Sequence, residues 1–258
     1  MTLAERESPK GKRVSLFVTC MVDMLTPQTG MSVVKVLERA GVEVDFPMAQ
    51  TCCGQPAFNA GYWYEARRVA EQFLRAFADA HVIVTPSGSC AAMVRHEYPQ
   101  LFAADPARRQ LAERLASITW EFTEFLVDGL GITDLHARLP EPTRFAFHDS
   151  CHGLRLLGLG GAGRRLIGQI ENASLIEMDG HEVCCGFGGL FAVKMADVSG
   201  AMLSEKLQNI ANCPAQVVGI DMSCATHINA GLEKSGSTRR IRHVADVLAE
   251  ALGDRGES

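Results

Sequence analysis

A chain of 258 residues with 47% apolar content can bury one large core or two small ones, and two small domains are the better fit. Its formal charge of −5 is spread over mixed-sign segments, so it lacks the basic stripe that a nucleic-acid backbone requires. No apolar run approaches the roughly 18 to 20 residues that span a bilayer, the start MTLAERESPKGKR is polar where a signal peptide needs an apolar stretch, and nine cysteines, an odd number, fit a disulfide framework poorly. The expectation is a cytoplasmic protein, not membrane-spanning, with cysteines committed to metal binding or thiol chemistry.

In chain order, the β-rich run VSLFVT (14–19) predicts a first strand with Cys20 just beyond it. MSVVKVLERAG (31–41) predicts a helix stopped by Gly41, and VEVDFP (42–47) a second strand. The vicinal pair Cys52 and Cys53 follows, with Gly54 directly after it. A helix over about 60–80 leads to the strand HVIVT (81–85), and Cys90 comes within about five residues of its end. EFTEFLVDGLG (121–131) closes this half as an amphipathic helix. The span 104–142, with its Pro, Arg and Glu content, reads as closing helices plus a linker whose charges are solvated.

The series then begins again with the strand RFAFH (144–148) and Cys151. A weaker helix AGRRLIGQI (162–170), the strand SLIEM (174–178), and the pair Cys184 and Cys185 with Gly186 follow. A helix over 198–211, the strand QVVGI (216–220), Cys224, and the helix HVADVLAEALG (243–253) complete it. Matching cysteines are offset by 131, 132 and 134 residues, the drift that loop insertions produce. The predicted fold class is therefore α/β: a tandem pseudo-symmetric repeat of two domains, 11–131 and 143–253, joined by a linker at 132–142, each a small parallel sheet with flanking helices.

Right-handed βαβ crossovers bring the carboxyl ends of all strands to one sheet edge, where open α/β sheets place their ligands. Every repeated thiol follows a strand, so Cys20, Cys52, Cys53 and Cys90 are expected to converge in one half, and Cys151, Cys184, Cys185 and Cys224 in the other. Adjacent residues of a strand point to opposite faces, so a vicinal pair serves one centre only where the backbone turns. Gly54 and Gly186 supply that turn and let backbone N–H groups approach sulfur. Four thiolates hold a [4Fe–4S] cluster or a zinc ion. Zinc sites usually draw on CxxC knuckles, whereas these thiols arrive from three separate loops, which favours iron–sulfur. Cys213 has no counterpart and reads as a core or loop thiol.

Other signals carry less. GLGGAG (158–163) satisfies GxGxxG but lies ten residues beyond its strand, and reads as a loop. His148 and His152 flank Cys151 as hydrogen-bond donors to a cluster or as a base for a small acid, and Arg155 and Lys194 as charges that balance a cluster. Phe58, Tyr62 and Trp63 read as core residues opening a helix.

The pattern of a cysteine, about 32 residues, CCG, about 37 residues and a cysteine, present twice, resembles the cysteine-rich CCG domain. That domain occurs in heterodisulfide reductase B subunits, glycolate oxidase iron–sulfur subunits and anaerobic glycerol-3-phosphate dehydrogenase C subunits. The segments SLFVTCMVDM, FPMAQTCCGQPAFNAGY, PSGSCAAMV, HDSCHGLRLLG, EVCCGFGGLFAVKM and DMSCATHI are similar in detail to the lactate utilization A family. The resemblance implies an iron–sulfur electron-transfer subunit of an L-lactate-oxidising system, part of an oxidoreductase complex of the L-lactate dehydrogenase type. It implies two [4Fe–4S] clusters, with zinc as an alternative in one site. The partners implied are a ferredoxin-type iron–sulfur protein and a further lactate-utilization subunit. In the heterodisulfide reductase relatives each copy ends in CxxC, whereas Met93 and His227 stand at those last positions here. His227 is thereby a candidate fifth ligand or hydrogen-bond donor, and direct disulfide cleavage becomes a weaker expectation. Two competing readings are a redox enzyme acting on a disulfide or hydroxy acid at an open cluster site, and a zinc-stapled interaction subunit.

Overall fold

The computed structural model describes residues 6–253, so the first five residues of the polar start lie outside the described residues. It contains two four-stranded sheets, every pairing in them parallel. The first sheet is built from β1 (Val14–Leu16), β2 (Val44–Asp45), β3 (Ile83–Thr85) and β4 (Thr119–Glu121), in the order β2-β1-β3-β4. The second is built from β5 (Arg138–His148), β6 (Glu171–Leu175), β7 (Gln216–Gly219) and β8 (Arg242–His243), in the same order, β6-β5-β7-β8. The α/β repeat expected from the cysteine spacing is thus the observed architecture. Central strands such as Val14–Leu16 and Ile83–Thr85 are buried throughout, as parallel strands covered by helices on both faces must be.

The sequence reading placed three strands in each half; the structure has four. The additional β4 and β8 span three and two residues and run directly into the closing helices, which is why 121–131 and 243–253 read as helical throughout. Their last residues turn the chain. Glu121 caps the helix Phe122–Glu124 by accepting from the N–H groups of Thr123 and Glu124, and His243 Nδ1 caps Val244–Ala251 by accepting from Ala245 N. Strand β5 begins at Arg138, inside the segment expected as a linker, and β6 begins at Glu171, ahead of the expected 174.

The halves share a core. The closing helix Val244–Ala251 packs on the first half's helix Pro27–Arg39, while Phe122–Gly129 packs on the second half's helix Ala162–Gly168. Val14, Val36 and Leu37 therefore belong to one apolar cluster with Phe145, Leu166 and Leu248. Each fully buried aliphatic side chain contributes about 1.5–3 kcal/mol, so exchanged helices bind the halves strongly.

A polar seam completes the junction. Ser87 and Asp221, which both precede the last cysteine of their half by three residues, meet in an antiparallel bridge. The buried Asp221 carboxylate accepts from Ser89 N at 2.7 Å and Ser87 Oγ at 3.1 Å, and its other oxygen caps its own helix by accepting from Ser223 N. Beside this bridge Gly88 and Gly153 touch backbone to backbone; a Cβ on Gly88 would lie 3.1 Å from Gly153 Cα. The short helices in contact, Gly88–Ala92 and Cys151–Arg155, carry one cysteine from each half, so the two sets of thiols border one seam. Among the described residues, no helix is long and apolar enough to cross a membrane.

Candidate metal centres

In the first half, β1 ends in a turn at Thr19, whose φ of 74° is uncommon for a β-branched residue, and Cys20 opens the helix Cys20–Leu25. Its Sγ lies 3.5 Å from Cys52 Sγ. Cys52 lies against Cys53, and Cys53 against Cys90, closely enough for thiol-to-thiol interaction. Ser87 fixes Cys90 by capping its helix through Cys90 N at 3.2 Å, and Tyr98 Oη holds the Cys53 carbonyl at 2.9 Å. The second half repeats the chain of contacts from Cys151 to Cys184 to Cys185 to Cys224. All eight sequence-predicted cysteines therefore gather into two tetrads. In each the second member of the vicinal pair is buried and the first is half-buried, so each tetrad has a side facing solvent.

The two glycines act as their chemistry requires. Gly54 (φ 82°) and Gly186 (φ 86°) turn the backbone through the left-handed region, and their N–H groups donate to Cys52 Sγ at 3.3 Å and Cys184 Sγ at 3.4 Å. Hydrogen bonds from the Cys20 and then the Cys53 thiol, together with that N–H, hold Cys52 down to about 3. The same set from Cys151, Cys185 and Gly186 holds Cys184 down to about 2. Donation into these sulfurs, reinforced by burial, pushes Cys20, Cys53, Cys151 and Cys185 up. A thiolate flanked by polarised thiols at a sheet edge is a donor set for a thiophilic metal.

The structure separates the remaining candidates. His227 borders the second tetrad, but its Nε2 faces Ser199 Oγ at 3.4 Å and its ring lies against Phe187. Burial holds its imidazole below the usual range, and the nearby Cys184 partly offsets this. Met93 is buried in the apolar cluster around Cys53 and Cys90. His152 Nδ1 lies 3.4 Å from Cys151 Sγ, Arg155 is exposed, and Lys194 spans the halves to bond Tyr62 Oη at 3.0 Å. Cys213 is a buried core thiol, and GLGGAG forms the turn and first residues of the helix Ala162–Gly168. Phe58 is half-buried, while Tyr62 and Trp63, expected in the core, are exposed at 47% and 61%.

Beneath the tetrads lie His148, which the sequence marked only as a neighbour of Cys151, and Lys206, which it did not mark. His148 ends β5, is 2% exposed, and places a ring nitrogen within 4.8 Å of Cys185 and Cys224 sulfurs, all three mutually. Burial holds His148 down to about 4, so the imidazole is neutral at neutral pH. Its counterpart, offset by 131 like Cys20 and Cys151, is the fully buried Phe17. The backbone oxygens of Ala66 and Ser199 face Gly54 and Gly186 in the same way, and counting on by seven pairs Phe73 with Lys206. Lys206, at 0% exposure, donates to the Gly180 carbonyl at 2.5 Å, and the sulfurs of the second tetrad raise its proton affinity against the depression caused by burial. The floor of the first tetrad is aromatic, and that of the second carries an imidazole and an ammonium group.

Two sheets of one topology, each with four converging thiols, define a tandem cysteine-rich protein with two clusters of thiols suited to metal. The chain belongs to the CCG cysteine-rich domain family, whose pattern matches residues 14–95 and 145–229. It is 46% identical to Lactate utilization protein A of Geobacillus kaustophilus (strain HTA426) over 92% of this chain and 98% of that protein. It is 44% identical to Lactate utilization protein A 2 of Bacillus cereus (strain 03BB102), over 93% and 99% respectively. Among solved structures, a hypothetical protein from Helicobacter pylori superposes with a TM-score of 0.59 at 12% identity, over 95% of this chain and 50% of that longer one, a likeness of fold alone.

Proposed function

We propose that the chain is the iron–sulfur electron-transfer subunit of an L-lactate-oxidising system, with a [4Fe–4S] cluster in each tetrad. The observation that carries this reading is the duplicated tetrad itself, four thiols from three loops per sheet, in a chain similar to lactate utilization proteins along nearly its whole length. When bound, such clusters take up and release single electrons. The chain's own residues would do the rest: Cys20, Cys52, Cys53 and Cys90 hold one centre, and Cys151, Cys184, Cys185 and Cys224 the other. The N–H groups of Gly54 and Gly186 would donate to ligand sulfur, and burial of Cys53, Cys90 and Cys185 would keep water from one side. The half-exposed Cys20, Cys52, Cys151 and Cys184 would face the partners, a ferredoxin-type iron–sulfur protein and a further subunit that handles lactate.

Anaerobically purified protein is expected to be brown, with about 8 iron and 8 sulfide per chain. Lactate is expected to bleach it only when the partner subunits are present. Turnover of lactate by the isolated chain with an artificial acceptor would instead make it the enzyme. One observation favours a second reading, a zinc ion in place of a cluster: the 3.5 Å between Cys20 and Cys52 sulfurs is near the roughly 3.8 Å that tetrahedral Zn–S bonds set. Colourless, zinc-only protein from iron-replete anaerobic cells would establish that reading and overturn the first.

A further inference from the structure

Among the described residues, His148 is the one side chain with two buried polar atoms that both lack a hydrogen-bond partner. It is 2% exposed, and neither ring nitrogen has a hydrogen-bond partner. Leaving a buried polar atom unpartnered costs about 1–3 kcal/mol, and a chain that tolerates this twice on one ring is storing a donor. The ring lies at the carboxyl end of β5, where one nitrogen groups with the sulfurs of Cys185 and Cys224 inside 4.8 Å. No other group of three or more metal-ligating side chains this compact, with a histidine or carboxylate among them, occurs among the described residues. The described residues of the first half offer nothing comparable, because Phe17 occupies the matching position and packs edge-on to Phe73 at 5.0 Å. His227, the histidine singled out by the cysteine pattern, already has Ser199 as its partner.

We infer that His148 is a metal ligand, making the second centre a mixed nitrogen–sulfur site beside an all-sulfur first centre. This rests on the reading of the tetrads as metal centres. A ring nitrogen gives its lone pair to the metal while the other keeps its proton, so the bond forms without releasing a proton, unlike ligation by a thiol. Standing in place of one of the four thiolates assigned to this centre, a neutral imidazole would leave it one negative charge poorer, which would raise its reduction potential. The two centres would differ in potential, with the second as the electron acceptor of the pair.

The test uses full-length protein, purified anaerobically with and without ¹⁵N-histidine, with iron, sulfide and zinc measured on each sample. Pulsed EPR of the reduced protein is expected to show a directly bound histidine nitrogen at one centre only. That coupling should be lost in His148→Phe and kept in His227→Phe. If the second site carries zinc, X-ray absorption at the zinc edge is expected to show one nitrogen at about 2.0–2.1 Å beside sulfur. Metal-loaded wild-type protein with sulfur ligands alone overturns the assignment of His148 and leaves the metal-centre reading standing. Protein that binds no metal under these conditions overturns both. The labelled wild-type measurement decides the matter even if His148→Phe fails to fold.

Discussion

The floors of the two tetrads differ more than the tetrads do. Under the first, Phe17, Phe73, Phe77 and Tyr98 form a continuous aromatic stack, with Phe73 4.5 Å from Phe77 and 5.2 Å from Tyr98. Under the second, the positions of Phe17 and Phe73 are taken by His148 and Lys206, both buried. A duplicated backbone thus presents the same sulfurs above an aromatic medium of low polarity in one half and above a donor and a positive charge in the other. The repeat sets the sulfurs; the side chains one layer down set the polarity beneath each tetrad.

The strongest way to break the apparent equality of the two sites is at their glycines. A Cβ on Gly186 would lie 2.7 Å from the Ser199 oxygen and 3.0 Å from Met202 Cβ, whereas on Gly54 it would lie 3.2 Å from the Ala66 oxygen and 3.4 Å from Val69 Cβ. Both residues have positive φ, which costs a side chain about 1–2 kcal/mol. Gly54→Ala is expected to lose about that much stability, and Gly186→Ala roughly 3–4 kcal/mol, because backbone must move as well. Denaturation of each variant, with metal content measured alongside, checks this: Gly186→Ala should lose its second centre selectively. Equal losses from both variants would show that the second turn is no tighter than the first.

The helix caps sharpen the comparison through pH. Burial, the dominant effect, pushes the Glu121 carboxyl up to about 8, while burial holds His243 below the usual histidine range. For Glu121 the folded state keeps a proton that the unfolded chain sheds near 4.5, so its contribution is full below that pH and is lost as pH rises towards 8. For His243 the unfolded chain takes up a proton near 6.5 before the folded state does, so stability is present above that pH and lost as it falls below. The Glu121 effect is expected to be roughly 4–5 kcal/mol at most, from the shift between 4.5 and about 8. Glu121→Gln should flatten the stability profile on its alkaline side, and His243→Asn, which can still cap, on its acid side. Thermal melts of the metal-free protein from pH 5 to 9 read both, and an unchanged alkaline slope in Glu121→Gln would refute the assignment.

Much of this was legible in the cysteines. Their offsets placed the duplication, the two vicinal turns and the grouping of eight thiols, because a parallel sheet delivers whatever follows its strands to one edge. The short strands β4 and β8 were not legible: with two or three residues there is no periodicity to read, and Glu121 and His243, which end them, look like helix residues. The exchange of closing helices was hidden for another reason. Val244, Val247 and Leu248 mark an apolar face without saying which neighbour covers it. His148 drew notice as a neighbour of Cys151, but nothing in the string HDSC says that a ring at a strand end turns inward. Nothing in the string SEKLQ sets Lys206 apart from a helix-surface lysine, since only the register of Ala196–Asn212 against the tetrad puts its ammonium in the interior.

That lysine carries the smallest and most discriminating prediction. Lys206 Nζ is held by the carbonyls of Gly180 and His181, and the sulfurs of Cys185, Cys224 and Cys184 favour its charged form. A buried positive charge stabilises whichever state of a neighbouring centre is more negative, which is the reduced one. Lys206→Met keeps the length and apolar character of the side chain while removing that charge, so the second centre should become harder to reduce. The expected shift is on the order of tens of millivolts, where about 59 mV is a tenfold change for one electron. The first centre, whose matching position is Phe73, should not move. A redox titration followed by EPR separates the two, and the wild-type protein supplies the reference. A fall confined to one centre assigns that signal to the second half and ties its potential to the floor beneath it. Equal shifts at both centres would mean that the charge acts through the whole molecule, and no shift would mean that the carbonyls, not the sulfurs, account for the lysine's burial.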